Sequence, residues 1–133
     1  NETVDPQNLQ DTPFGTPGVR KVTNNGRTEY EVYIVARQFL FMPGTGSPIT
    51  VPADTPVTFH ITSPDVIHGF EVVGTNLNSM VIPGQIAKFT TVFTKPKTYG
   101  VICNEYCGLA HHVMEGKLQV VPKSEFKESM LVQ

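Results

Sequence analysis

The chain has 133 residues, the size of one domain with a core of its own. Its formal net charge is −2 and charged residues make up 17% of it, so it offers no basic surface for phosphates, which argues against nucleic acid as a partner. Eleven Gly and eleven Pro, spread along the chain, argue against a helical bundle, and no apolar run approaches the roughly 20 residues of a membrane-spanning helix.

The first predicted strand follows a polar N-terminal segment. Residues 1–27 are rich in Pro, Gly, Asn and Thr without a hydrophobic period, and we predict an arm or a long surface loop there. The stretch EYEVYIVARQF, residues 29–39, then alternates between apolar and other side chains, as a half-buried strand does. The side chains expected on its apolar face are Tyr30, Val32, Ile34 and Ala36.

A second strand with the same alternation is PVTFHIT, residues 56–62, in which Val57, Phe59 and Ile61 share a face. Further short strands follow between turn residues: GFEVV, NSMVI, QIAKFTTVF, TYGVIC and GKLQVV. About eight short strands without a helical period predict an antiparallel β-sandwich, for which Greek-key connections are usual. We expect the sandwich within residues 28–122, with residues 123–133 as a C-terminal tail.

The stretch CNEYCGLAHHVM, residues 103–114, holds both cysteines of the chain, two of its four histidines and one of its four methionines. Thiolates, imidazoles and a thioether suit Cu(I), zinc or iron–sulfur clusters, and do not suit magnesium or calcium. Cys103, Cys107 and His111 are spaced four residues apart, and Met114 follows three residues later. In a turn-like loop this spacing directs the side chains to one side, where His68 at the end of another strand adds a fifth donor.

These donors leave three interpretations open. Five side chains are one too many for tetrahedral zinc and suit a two-metal core with bridging thiolates and Met114 as a weak axial donor. Zinc held by four of them (Cys103, Cys107, His111 and His68) is the main alternative, although divalent copper outcompetes zinc for such ligands. A disulfide between the two cysteines would close a very short loop and leave the histidines unexplained.

The same loop, preceded by VIHGF in which His68 lies 35 positions before Cys103, resembles the dinuclear copper (CuA) centre of cytochrome c oxidase subunit II. The stretches ARQFLF and GTNLNSMVIPG also resemble that family, particularly the b-type heme–copper oxidases of bacteria and archaea. The resemblance covers about residues 30–121. It implies an all-β, cupredoxin-like Greek-key β-sandwich, in agreement with the predicted strands.

The resemblance also implies a ligand set. Cys103 and Cys107 would bridge two copper ions, of which His68 binds one and His111 the other. The two weaker donors would be the thioether of Met114 and the backbone carbonyl of Glu105. The thioether is assigned to the copper held by His68, and the carbonyl to the copper held by His111.

The function that the resemblance implies is one-electron transfer. The domain would accept electrons from a cytochrome c or a small copper protein (a cupredoxin) and pass them to a heme of oxidase subunit I. Alone it would be a carrier without catalytic activity. We expect the soluble domain of a membrane-anchored subunit, on the periplasmic or outer face of the cytoplasmic membrane and attached through a segment that this chain lacks.

Two alternative functions remain at this point. Nitric-oxide and nitrous-oxide reductases use the same ligand loop in their CuA domains, and the nitrous-oxide reductases add a large propeller domain. From a different class, a zinc-binding or copper-delivery protein would use some of these donors, but it would have no use for Met114 or for two bridging thiolates.

Four residues near the candidate ligands are expected to have other roles. His112 should face solvent, because only His111 keeps the ligand spacing. His60 is expected on the surface of its strand, Asp65 in a turn, and Phe70 in packing that shields the metals.

Overall fold

A computed structural model describes residues 2–106 and 114–132 of the chain. Within these ranges it contains eleven strands: β1 (Glu2–Thr3), β2 (Gly18–Asn24), β3 (Arg27–Arg37), β4 (Leu40–Met42), β5 (Ile49–Pro52), β6 (Pro56–Thr62), β7 (His68–Val72), β8 (Asn78–Val81), β9 (Gln85–Val92), β10 (Lys97–Ile102) and β11 (Glu115–Val121). Four short 3₁₀ helices accompany them: Leu9–Asp11, Pro13–Gly15, Lys123–Glu125 and Glu128–Met130. Over the same ranges, no helix has the length and apolar character needed to span a membrane.

The strands form two sheets. One has the order β1-β9-β6-β3-β2 with β4 also paired to β3, and the other has the order β5-β11-β10-β7-β8. The all-β fold class is therefore confirmed. The expected antiparallel pairing holds for most strand pairs, but it is wrong for two of them, because β3 pairs parallel with β6 and β5 pairs parallel with β11. A parallel pair requires a crossover connection, and the chain between β3 and β6 runs through β5 of the opposite sheet.

The alternating patterns of β3 and β6 produce the core between the sheets. The fully buried side chains of these two strands include Val32, Ile34, Ala36, Val57, Phe59 and Ile61. Tyr30, expected on the same face, is partly buried against this core. Both predicted apolar faces are thus the ones that point inward. Burial of such faces is the main favourable contribution to folding of a sandwich.

The N-terminal segment differs from its prediction over residues 18–24. This stretch is the strand β2, which pairs along its whole length with β3. Asn25 and Gly26 form the tight turn between the two strands, with φ angles of 53° and 79°. An Asn-Gly pair adopts positive φ at little cost, so it favours this hairpin and is the signal that indicates β2.

The C-terminal tail packs back against the sandwich. The backbone N–H of Val132 donates to the carbonyl oxygen of Val19 in β2 at 2.9 Å. The ring of Phe126 meets the ring of Tyr30 edge-on, with their centres 5.0 Å apart. The described part of the tail therefore covers one edge of the six-stranded sheet.

Candidate metal centre

Two of the predicted donors meet at one end of the five-stranded sheet. His68 is the first residue of β7, and Cys103 follows Ile102, the last residue of β10. The two strands are antiparallel neighbours, with Ile102 opposite Glu71. The start of one strand therefore lies beside the end of the other. This pairing brings together two donors that are 35 positions apart in the chain.

The Nδ1 atom of His68 lies 3.9 Å from the Sγ atom of Cys103. Typical bonds from a metal ion to imidazole nitrogen and to thiolate sulfur are about 2.0 Å and 2.3 Å long. A single ion between the two atoms can therefore bind both of them. The described geometry fits a metal at this position.

Asp65 holds the other nitrogen of the His68 ring. The Nε2 atom of His68 is 2.9 Å from Oδ1 of Asp65, and the His68 side chain is completely buried. A carboxylate accepts the proton of Nε2, which leaves the lone pair of Nδ1 directed toward the Cys103 sulfur. Metal-binding histidines commonly have a carboxylate in this supporting position.

The Asp65 carboxylate is itself held by several donors. Burial acts to raise its pKa, but hydrogen bonds from the backbone of Gln38, the His68 ring, the backbone of Val66 and the hydroxyl of Ser63 act to lower it. The net result is a pKa below the ordinary value of 3.8. The group is therefore a carboxylate at neutral pH, and a full acceptor for His68.

One weaker predicted donor, and the backbone of the residue that carries the other, lie close to Cys103. The carbonyl oxygen of Glu105 is 3.4 Å from the Cys103 Sγ. The backbone N–H of Cys103 donates to the carbonyl oxygen of Met114 at 3.0 Å, and Met114 is only 3% exposed. The structure thus places His68, the Glu105 carbonyl and the Met114 backbone around Cys103.

The remaining predicted ligands, Cys107 and His111, lie outside the described residues, as does His112. In the two described ranges, no group of three or more His, Cys, Asp or Glu side chains is arranged as a metal site. The described donors nevertheless include a cysteine sulfur, an imidazole and a carbonyl, together with a buried thioether residue. This set suits copper or zinc and does not suit magnesium or calcium.

The sequence analysis did not predict two groups that contact the candidate ligands: a backbone N–H and a carboxylate. The backbone N–H of Gly69 donates to the Cys103 sulfur at 3.3 Å. Asp65, expected only as a turn residue, also orients His68. Its position three residues before a candidate ligand is the signal that could have indicated this role.

His60 is not at the surface, so that expectation is wrong. Its ring is 6% exposed and stacks on the ring of Tyr33, with 4.4 Å between centres and an angle of 4° between planes. The two residues are register partners on β6 and β3, which brings their side chains together on one face. Burial lowers the pKa of His60, although the charge of Glu31 acts to raise it.

The expected packing of Phe70 is confirmed, and its shielding of the metals stays a prediction. The side chain is fully buried, and its ring lies 5.6 Å from the ring of Phe41 and 6.0 Å from the ring of Phe59, measured between centres. It follows His68 by two residues on β7, so it points to the same side of the strand. The strand that carries the histidine is therefore anchored in the aromatic core.

Comparison with known sequences identifies relatives for most of the chain. Residues 19–121 match the family model described as cytochrome c oxidase subunit II, periplasmic domain. Two sequences named cytochrome c oxidase subunit 2 from Thermus thermophilus are each 43% identical over 120 residues. The alignments cover 90% of this chain and 86% and 69% of the two relatives.

Solved structures give the same result for the fold. A heme-copper terminal oxidase dimer matches with a TM-score of 0.65 and 39% identity over 76% of this chain and 69% of that chain. The periplasmic domain of cytochrome oxidase subunit II from Bradyrhizobium japonicum matches with a TM-score of 0.64 and 19% identity, over 72% of this chain and 86% of that chain. The second likeness shows the fold alone, and the cupredoxin-like β-sandwich is confirmed.

Proposed function

The chain belongs to the family of periplasmic domains of cytochrome c oxidase subunit II, the domain at which electrons enter that oxidase, and we propose that a dinuclear copper centre in this chain accepts those electrons. The family implies copper, whereas the number of ions and their ligands are our proposal. The observation that carries the proposal is the short distance between His68 Nδ1 and Cys103 Sγ at one end of the sandwich.

The proposed ligands are those of the sequence analysis. Cys103 and Cys107 bridge two copper ions, His68 binds one of them and His111 binds the other. The weaker donors are Met114 and the backbone carbonyl of Glu105. The position of the Glu105 oxygen near the Cys103 sulfur and the burial of Met114 support these two assignments.

A copper pair bound at this site supplies a couple that accepts and releases one electron. The protein contributes rigidity, because His68 is fully buried between a carboxylate and a thiol and begins a strand anchored in the core. Rigid ligands change little between oxidation states, which keeps reorganisation small. Nothing in this role requires a general base or a substrate pocket, so the domain alone is a carrier.

We propose that the electron donor is a cytochrome c or a cupredoxin, and that the acceptor is a heme of oxidase subunit I. Exposed side chains with apolar parts lie next to the candidate ligands in the chain or in the sheet, and they suit contact with an apolar surface of the electron donor. Ile67, which is 42% exposed, precedes His68, and Met80, which is 52% exposed, pairs with Gly69. Tyr106 is 77% exposed in the stretch after Cys103. The family places this domain on the periplasmic side of the membrane.

Copper reconstitution tests the proposed function. Cu(II) is added to the reduced, metal-free chain, and optical and EPR spectra are recorded together with the copper content. We expect a purple protein with two copper ions, whose hyperfine pattern shows one unpaired spin shared by two copper nuclei. A colourless product, or the pattern of a single copper ion, would contradict the dinuclear centre.

Adjacent histidines provide a matched pair of variants for the ligand assignment. His111→Asn should lose the shared-spin spectrum, and His112→Asn should retain it, because only the first is a proposed ligand. Cys107→Ser should also abolish the shared spin, since one bridge is then missing. Retention of the wild-type spectrum in Cys107→Ser would refute the bridging role.

A further inference from the structure

The side chain of Asn104 links the candidate ligand segment to two strands. Asn104 stands between Cys103 and Glu105, and its amide nitrogen donates to Oε1 of Glu71 at 3.2 Å and to Oδ1 of Asn78 at 2.9 Å. Glu71 and Asn78 are register partners on β7 and β8. Both amide protons are therefore used, and the segment after β10 is tied to the strand pair that begins with His68.

The same side chain lies directly over Gly69. A Cβ atom built on Gly69 would overlap the Oδ1 atom of Asn104 and would lie 3.1 Å from the Asn104 backbone nitrogen. Only glycine permits this close approach, because any other residue would push the Asn104 side chain away. The backbone N–H of Gly69 in turn donates to the Cys103 sulfur at 3.3 Å.

These contacts form one connected arrangement around the sulfur. Glu71 and Asn78 hold Asn104, Asn104 holds the backbone beside Cys103 against Gly69, and Gly69 donates a hydrogen bond to the sulfur. A hydrogen bond to a thiolate stabilises its negative charge and reduces the electron density that it offers to a metal. The strength of that bond depends on the distance between Gly69 and Cys103.

We propose that Asn104 is a positioning residue of the metal centre, which holds the Cys103 sulfur at hydrogen-bonding distance from the Gly69 N–H and facing the His68 ring. Asn104 acts through Cys103 and Gly69 and does not bind the metal. The proposal rests on the copper function proposed above, but its first test uses the metal-free chain.

The first test measures amide hydrogen exchange by NMR in the reduced, copper-free chain. Asn104→Ala should raise the exchange rate of the Gly69 amide about tenfold, because a hydrogen-bonded restraint on this segment is lost. The amide of Phe59 in the core strand β6 should exchange at the wild-type rate. Asn76→Ala, at an exposed asparagine in the turn between β7 and β8, is the matched control and should change neither rate. An unchanged Gly69 rate in Asn104→Ala overturns the proposal.

The second test replaces the hydrogen-bond donors of the Asn104 side chain by acceptors in the copper-loaded chain. Asn104→Asp keeps the size of the side chain but removes both donors and places a second carboxylate beside Glu71. We expect about tenfold weaker copper binding, together with shifts of the sulfur-to-copper absorption bands and of the midpoint potential.

Adding Glu71→Gln should restore all three properties toward wild type, because the glutamine amide then donates to the aspartate. A general loss of folding would not be rescued in this way. The positioning role is overturned if the wild type becomes purple and the single Asn104 variants keep its copper affinity, absorption spectrum and midpoint potential. A wild type that never becomes purple overturns the copper function instead, and the exchange rates of Gly69 report separately on the arrangement around Cys103.

Discussion

The Oδ1 atom of Asp65 lies 2.9 Å from the Nε2 atom of His68, and this contact decides which ring nitrogen faces Cys103. The other oxygen of the same carboxylate accepts the backbone N–H of Gln38 at 2.8 Å. Gln38 directly follows β3 of the six-stranded sheet, whereas His68 begins β7 of the five-stranded sheet. One carboxylate therefore connects the two sheets at the end of the sandwich that carries the candidate metal centre.

Asp65→Ala should weaken both the fold and the metal centre. Loss of the acceptor leaves the buried Nε2–H of His68 unsatisfied, which costs about 1–3 kcal/mol in the free energy of unfolding of the metal-free chain. Copper affinity should fall by about 10–100-fold, because the ring is no longer held. Urea unfolding and copper competition measure the two effects. The control is Asp11→Ala, at an exposed aspartate of the N-terminal segment, and equal behaviour of the two variants would contradict this prediction.

Met114→Leu should change the redox potential without removing the centre. The two side chains have similar volumes, so the buried position should tolerate the change with less than about 1.5 kcal/mol of destabilisation. A weak axial thioether tunes the potential of a copper site, so the midpoint potential should shift while the purple spectrum remains. Spectroelectrochemistry measures both. Met80→Leu, at a methionine that is 52% exposed, is the control. A potential that stays at the wild-type value in Met114→Leu would remove the thioether from the ligand set.

His60→Phe should reduce the acid sensitivity of the fold. Burial lowers the pKa of His60 from its ordinary value of 6.5. Below pH 6.5 the His60 imidazole is therefore protonated in the unfolded chain before it is protonated in the folded chain. The wild type is therefore fully stabilised above pH 6.5 and loses stability as the pH falls toward the folded-state pKa. The charged groups that act on His60 are Glu31, Lys88, Glu2 and Arg20.

The phenylalanine variant keeps the aromatic stack on Tyr33 but does not titrate. Urea unfolding of the metal-free chain at a series of pH values from 7.5 to about 5 tests this difference. The free energy of unfolding should decrease less steeply in the variant than in the wild type. Parallel curves would mean that His60 does not contribute to the pH dependence.

Gly116→Ala should destabilise the contact between β11 and the loop after β4. A Cβ atom at Gly116 would lie 2.8 Å from the carbonyl carbon of Gly44, whose oxygen accepts the backbone N–H of Lys117 at 3.0 Å. Relief of this overlap requires a backbone shift, with a cost of about 1–3 kcal/mol in the free energy of unfolding. Gly46→Ala in the same loop meets no atom within 4 Å and should change stability little. Unfolding midpoints in urea compare the two variants, and equal midpoints would contradict the predicted overlap.

Much of the fold was predictable because alternation along a strand is a local property. The inward faces of β3 and β6 follow from the period of two in side-chain direction, whatever the neighbouring strands are. The strand β2 was missed because its own residues are polar at its exposed positions, although Asn25-Gly26 indicated the hairpin. The parallel pairs were not predictable in this way, since they join strands that the chain reaches only after crossing to the opposite sheet.

By itself the sequence predicted the chemistry of the site, because donor identity and spacing belong to the side chains of one loop and one distant histidine. Only the tertiary structure decided which groups support those donors. The contact of the Asp65 carboxylate with Gln38 and the links of Asn104 to β7 and β8 depend on strand register and on the meeting of two sheets, which are set by packing over the whole domain. A group that assists a ligand from another strand needs no special spacing from it in the chain, and therefore only the fold reveals it.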